Sequence, residues 1–249
     1  MSAKIAFLWH MHQPFYKDIL TGRYTMPWVR LHATKAYYDM PKILEDFPAI
    51  KQNFNLVPSL IMQLQDYAKG QAKDFFLEIS LKPAQDLSVE DKKFLLWNFF
   101  MANWDTMIKP YPRYWQLLQK RGVIVNEEDV EDAVKQFTEE DYRDLQVWFN
   151  LTWFGFCARR QFPEIQGLIN KGEHFNEQDK ETVLNIQLEI VKQLIPLYKE
   201  LQDKGQIEIS TTPFYHPILP LVYDTDIAKR SMPWVELPRR FSHPEDVSR

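Results

Sequence analysis

Cysteine is almost missing from this chain, with Cys157 the single example. That excludes an intrachain disulfide framework and fits a reducing, cytoplasmic setting. Its surroundings, Leu151-Thr-Trp-Phe-Gly-Phe-Cys157-Ala, read as a buried helix, so the thiol is expected to pack as an inert apolar group. Glycine is scarce too, at 7 residues in 249. There is no Gly-rich phosphate loop and no Gly-x-Ser-x-Gly elbow, which argues against nucleotide binding and against a serine nucleophile. No apolar run approaches the roughly 18 residues needed to cross a bilayer, and Met1-Ser-Ala-Lys4 leads straight into a strand, so neither a membrane span nor a secretory signal is expected. Clustered Lys/Arg is also absent and the net charge is −4, so no nucleic-acid surface is expected.

What the chain has in quantity is aromatic side chains, at 14% with 8 tryptophans. Aromatic faces pack sugar rings as readily as they fill cores, so the enrichment is compatible with carbohydrate binding. Hydrophobic and charged fractions of 45% and 26% are those of an ordinary globular protein, and the length suits one large α/β domain.

The informative stretch is Ile5-Ala-Phe-Leu-Trp-His10-Met-His12-Gln13-Pro14. Its apolar first half predicts a strand buried on both faces, and Pro14, which cannot donate a ladder hydrogen bond, predicts its end. The strand period of two puts His10 and His12 on one side, at the C-terminal edge where ligands bind in α/β folds.

Phe15 to Leu31 reads as irregular, with Tyr16, Tyr24 and Trp28 along a rim. Helical spacing of Ala36, Met40, Ile43, Leu44 and Phe47 predicts a helix over 33–47 that Pro41 kinks or shortens. Lys51 to Val57 alternates as a second strand, and Pro58-Ser59 opens a helix, giving a βαβ unit and a parallel sheet. No strand is expected from about 73 to 204. Ser88 with Asp91 and Thr138 with Asp141 have capping-box spacing, the latter ahead of a helix over 142–159, and Asn126 and Asn176 are two more N-caps. The clearest helix runs from Glu177 to Gln202, with Val183, Ile186, Ile190, Leu194, Leu197 and Leu201 on one face and Gly205 as its stop. This helical block is read as an insertion packed on the same domain. A short strand over 206–210 then runs into Thr211-Thr-Pro-Phe-Tyr-His216. The ending at Ser242-His243-Pro-Glu reads as a helix cut off in its first turn, so the chain is expected to stop before its fold does.

The residues alone thus offer three rim histidines, His10, His12 and His216, with Glu208 and with Asp224 and Asp226 near them; if the strands are parallel neighbours, Glu208 or Ser210 and His216 face the same rim as His10 and His12. Two chemistries stay open: a metal-dependent hydrolase using the His-x-His pair, and carboxylate chemistry on a glycosidic bond with the histidines bonding sugar hydroxyls. Trp28 and Trp234 are candidate sugar platforms, though packing is the favoured role for both.

His10-Met-His12-Gln13-Pro14 resembles the first motif of glycoside hydrolase family 57, and Gly205-Gln-Ile-Glu208-Ile-Ser-Thr-Thr-Pro-Phe-Tyr-His216-Pro-Ile-Leu-Pro-Leu resembles its second. Arg30-Leu-His-Ala-Thr-Lys-Ala-Tyr-Tyr-Asp-Met adds to the likeness, which covers essentially the whole chain. The resemblance implies an incomplete (β/α)7 barrel, of which residues 1–249 are the N-terminal part with a helical insertion at about 73–204. It implies a retaining α-amylase or 4-α-glucanotransferase acting on α-glucan or maltooligosaccharide without a cofactor or metal. By motif match, His10, His12 and Gln13 line the catalytic centre, Glu208 is the second motif's acidic residue and His216 lies close by.

The family's Glu nucleophile and Asp general acid belong to third and fourth motifs that this sequence does not contain. No catalytic residue is therefore assigned here, and a C-terminal segment or second subunit is expected to complete the barrel. The alternatives are a metal-dependent hydrolase or polysaccharide deacetylase, and a non-catalytic carbohydrate-binding subunit of a split enzyme.

Overall fold

In a computed structural model that describes residues 5–248, the chain starts with β1 (Leu8–Met11) and the short β2 (Arg23–Tyr24). A helical stretch follows in four pieces: α1 (Trp28–His32), a π-helical turn over Ala33–Tyr37, α2 (Tyr38–Lys42) and a 3-10 turn over Ile43–Asp46. It begins inside the region expected to be irregular, and Pro41 does not end it. A proline leaves the carbonyl four residues back without a partner, and here the Tyr198 hydroxyl donates to that carbonyl, of Tyr37, at 3.1 Å.

Next come β3 (Gln52–Leu56), α3 (Pro58–Ala68) with proline at its first position, and β4 (Lys73–Asp74). β4 pairs in parallel with β2, Arg23 opposite Lys73 and Tyr24 opposite Asp74. This corrects the expectation of no strand after 73; two residues are too few to display a period of two. To residue 203 the chain is then helical: α4 (Phe75–Leu81), α5 (Val89–Asn98), a second π-helical turn over Trp104–Ile108, α6 (Pro112–Arg121), α7 (Glu127–Gln136), α8 (Glu139–Leu151), α9 (Phe156–Gln161), α10 (Pro163–Lys171) and α11 (Glu177–Asp203). The caps of α5, α7, α8 and α11 are closed capping boxes built by Ser88, Asn126, Thr138 and Asn176 with an aspartate three residues on, each contributing on the order of 1 kcal/mol. The helix expected over 142–159 divides after Leu151, because Gly155 is extended and the Asp39 carboxylate accepts the first N–H groups of α9. Cys157 is buried there, and burial pushes its thiol up.

β5 (Ile207–Ser210), α12 (Leu219–Tyr223), a 3-10 turn over Thr225–Arg230 and α13 (Pro244–Val247) complete the described residues. The main sheet is parallel in the order β1-β3-β5. Its apolar face carries Met11, Phe54 and Ile207, all buried. Phe54 meets Tyr198 of α11 edge-on, ring centroids 5.2 Å apart, and full burial of a side chain of that size contributes about 1.5–3 kcal/mol. The six apolar positions read on α11 are all buried, and Gly205 ends that chain direction at φ +64°.

The opening strand departs from expectation. Phe7, Leu8 and Trp9 are 57%, 64% and 43% exposed, not buried on both faces. β1 is an edge strand with β3 on one side only, and no described strand pairs with its other edge.

Candidate active site

Two rows of side chains cross the face opposite the helices. Leu8, Asn53 and Glu208 are register partners, and His10, Asn55 and Ser210 are partners one step nearer the strand C-termini. Residues two apart on a strand share a face, so both rows look the same way. β3 lies between β1 and β5, so the histidine strand and the Glu208 strand are not direct neighbours.

His10 Nδ1 lies 2.8 Å from Asn55 Oδ1, and Asn55 Nδ2 donates to Ser210 Oγ at 3.1 Å. An amide oxygen only accepts, so Nδ1 of His10 is the donor and Nε2 is the ring nitrogen left free of that bond. The three histidines cluster above this row. Ring centroids are 4.5 Å apart for His10 and His216, 5.2 Å for His12 and His216, and 5.6 Å for His10 and His12. His216 arrives through a turn closed by its N–H to Pro213 O at 2.9 Å, and it holds φ +56°. That left-handed conformation costs a non-glycine residue about 1–2 kcal/mol, a strain of the kind retained at ligand sites. Burial, then the neighbouring His216 and His10, push His12 below the usual histidine range, so its ring is neutral at pH 7.

Gln13 is a brace. Its Nε2 donates to Tyr37 Oη at 3.0 Å, its Oε1 accepts from Tyr16 Oη at 3.0 Å, and Tyr37 in turn donates to the His12 carbonyl at 2.8 Å. Glu208 is exposed one row below His10, with no hydrogen-bond or ion-pair partner among the described residues. Trp28 is half-buried against Trp153 and His32, with ring centroids 5.7 and 6.5 Å away. Trp234 does not pack as expected: it is 80% exposed, in a stretch with little buried surface to receive it. Asp224 accepts from Arg240 Nε at 3.1 Å, an ion pair that lowers its carboxyl to about 2, and Asp226 pairs with Lys229 at 2.9 Å. Both acids are thus engaged by local cations. The one set of three His or carboxylate ligand atoms within 4.8 Å of one another, among the described residues, is the exposed His243, Glu245 and Asp246; the rim histidines do not converge in that way.

Residues 6–232 match the profile of glycosyl hydrolase family 57. The chain belongs to that family. No curated protein and no solved structure matches it. Membership assigns glycoside hydrolase or glucanotransferase chemistry on a carbohydrate substrate, and the three histidines all fall within the matched span. No helix among the described residues is long and apolar enough to cross a membrane.

The family 57 reading of the sequence passed over Asn53, Asn55 and Tyr37. The signal for the asparagines was present, since polar residues at 53 and 55 alternate with the apolar Phe54 and Leu56 and so mark one face as open. Tyr37 had no such mark; only the packed structure brings its hydroxyl to the His12 carbonyl.

Proposed function

We propose that this chain forms one wall of the sugar-binding cleft of an α-glucan-active, retaining enzyme, a hydrolase or 4-α-glucanotransferase. The observation that carries the reading is the row His10–Asn55–Ser210 across the open sheet face, with His12 and His216 gathered over it. Sugar hydroxyls both donate and accept, and imidazoles, amides and hydroxyls match them group for group.

The catalytic carboxylates in this reading come from outside residues 5–248. Retaining cleavage needs two carboxyl groups about 5–5.5 Å apart. Glu208 is the one carboxylate read on this face, and Asp224 and Asp226 are held by Arg240 and Lys229. The unpaired edge at β1 is then where a C-terminal segment or second subunit extends the sheet toward a (β/α)7 barrel, with 73–204 as a helical insertion on the same domain. The lone buried Cys157 supports a cytoplasmic setting.

The test is to mix the purified chain with a maltooligosaccharide, measure binding and separate products by size, beside His12→Ala. Binding without cleavage, weakened by His12→Ala, is expected. Cleavage abolished by His12→Ala would move the carboxylate pair into this chain, and failure to bind any maltooligosaccharide would overturn the α-glucan reading.

A further inference from the structure

We propose that the cavity between the 28–42 segment and the helical layer is a second ligand site, built for a small oxyanion of the phosphate type. It has a volume of about 380 Å3 and is walled in part by Lys35, Asp39, Thr106, Tyr111 and Arg159. Two features of the walls are unusual and independent of each other.

The first is backbone. Lys35 stands on the π-helical turn Ala33–Tyr37 and Thr106 on the π-helical turn Trp104–Ile108, so both such turns face one cavity. π-helical residues are well under 1% of ordinary proteins and gather at functional sites, because the wider turn re-aims side chains that an α-helix would point elsewhere.

The second is an excess of donors. Lys35 Nζ has the Met107 sulfur at 3.2 Å and the Trp153 ring at 5.4 Å, both weak partners for an ammonium. Arg159 is fixed by donating Nε to Phe154 O at 3.0 Å and Nη2 to Tyr111 Oη at 2.9 Å, which leaves Nη1 over. Since the Tyr111 oxygen accepts from Arg159, its own O–H remains to be donated. Neither cation has a carboxylate within 4.0 Å among the described residues. The cavity's acid, Asp39, accepts instead from the N–H groups of Phe156 and Cys157 at 2.7 and 2.9 Å. Gly155 permits that approach, because a Cβ there would lie 2.2 Å from Asp39 Oδ2. An ammonium, a guanidinium N–H and a phenol O–H call for a ligand that only accepts, which is an oxyanion. Consistent with this, burial and then the charge of Arg159 push Lys35 below the usual lysine range, outweighing the attraction of Asp39, and a bound anion would offset the repulsion between the two cations.

The probe is inorganic phosphate, titrated into the whole chain by calorimetry, with maltose as a neutral control. Saturable binding is expected, weakened by about tenfold or more in Lys35→Met and in Arg159→Met, since each removes a charge-assisted hydrogen bond to the anion. Lys35→Arg, which retains the charge, guards against a folding defect and is expected to keep most of the affinity. Glucose 1-phosphate in a parallel arm separates the sources: tighter binding than phosphate marks a phosphorylated sugar, equal binding a free anion. No saturable phosphate binding, equal affinity for maltose competing at this site, or unchanged binding in both Met variants overturns the proposal. None of these readouts depends on α-glucan binding at the histidine cluster.

Discussion

His10 and Asn55 are register partners on adjacent parallel strands, and the 2.8 Å bond from His10 Nδ1 to Asn55 Oδ1 sets which ring nitrogen carries the proton. The tautomer is therefore a property of the sheet, not of the histidine alone. Replacing Asn55 with alanine frees the ring to adopt the other tautomer. Maltooligosaccharide binding is expected to weaken by about tenfold, near 1.4 kcal/mol, with the fold retained. Nitrogen chemical shifts of the imidazole check the tautomer directly, and an unchanged tautomer ratio in Asn55→Ala would contradict the assignment.

Histidine titration carries a signed prediction. Burial is the leading cause that lowers His12 and His32, with like charges from His216 and His10 on the one and from Lys35 on the other. The folded chain then takes up protons less readily than the unfolded chain. Above the ordinary histidine value of about 6.5 both states are neutral and these groups do not affect stability. Below it the unfolded chain protonates first, so Tm is expected to fall as pH drops from about 6.5 toward the folded-state values, and His32→Gln should flatten that slope. In a proton NMR titration His12 and His32 should have midpoints below 6.5, whereas His174, held by Glu140, should lie above. His216→Asn should raise the His12 midpoint, since it removes one of the charges facing it.

Arg30 is a buried cation that links several elements. It is fully buried, with Nε 3.3 Å from Asp74 Oδ2 and Nη1 donating to Asn150 Oδ1 at 2.7 Å and to Gln187. The bonds tie α1 to β4, α8 and α11 at once. Arg30→Met leaves the Asp74 carboxylate buried without its charge partner, and an expected loss of about 3–5 kcal/mol would appear in urea denaturation. A loss below about 1 kcal/mol would mean that water reaches the site.

Gly155→Ala tests the close approach of α9 to Asp39. The new Cβ meets Asp39 Oδ2 at 2.2 Å, so either the carboxylate swings away from the α9 N–H groups or the helix shifts. A destabilisation of about 1–3 kcal/mol is expected, again by urea denaturation. A thiol-reactive probe should also reach Cys157 faster in this variant, because the buried sulfur sits in the first turn of the displaced helix.

Much of the architecture is legible in the sequence, and for a common reason. The capping boxes at Ser88, Asn126, Thr138 and Asn176, the buried face of α11 and its stop at Gly205 are all set by residues within a few positions of each other. Local hydrogen bonds and helical periodicity leave their mark in local sequence. The two-residue pairing of β2 with β4 and the division between α8 and α9 left no such mark. The first is a contact between distant segments, and the second depends on Asp39, more than a hundred positions before the N–H groups it caps.

The candidate site divides along the same line. Strand period, Pro14 and the two motifs determined from sequence that His10 and His12 share a side and that Glu208 and His216 follow another strand, because spacing along a strand is covalent geometry. That β3 stands between those strands, that Asn55 sets the His10 tautomer, and that His216 folds back at φ +56° to meet both rings was decided only in three dimensions. So was the exposure of Phe7, Leu8 and Trp9: an apolar run records that a strand can be buried, whereas which side of it stays bare depends on the order in which the strands assemble.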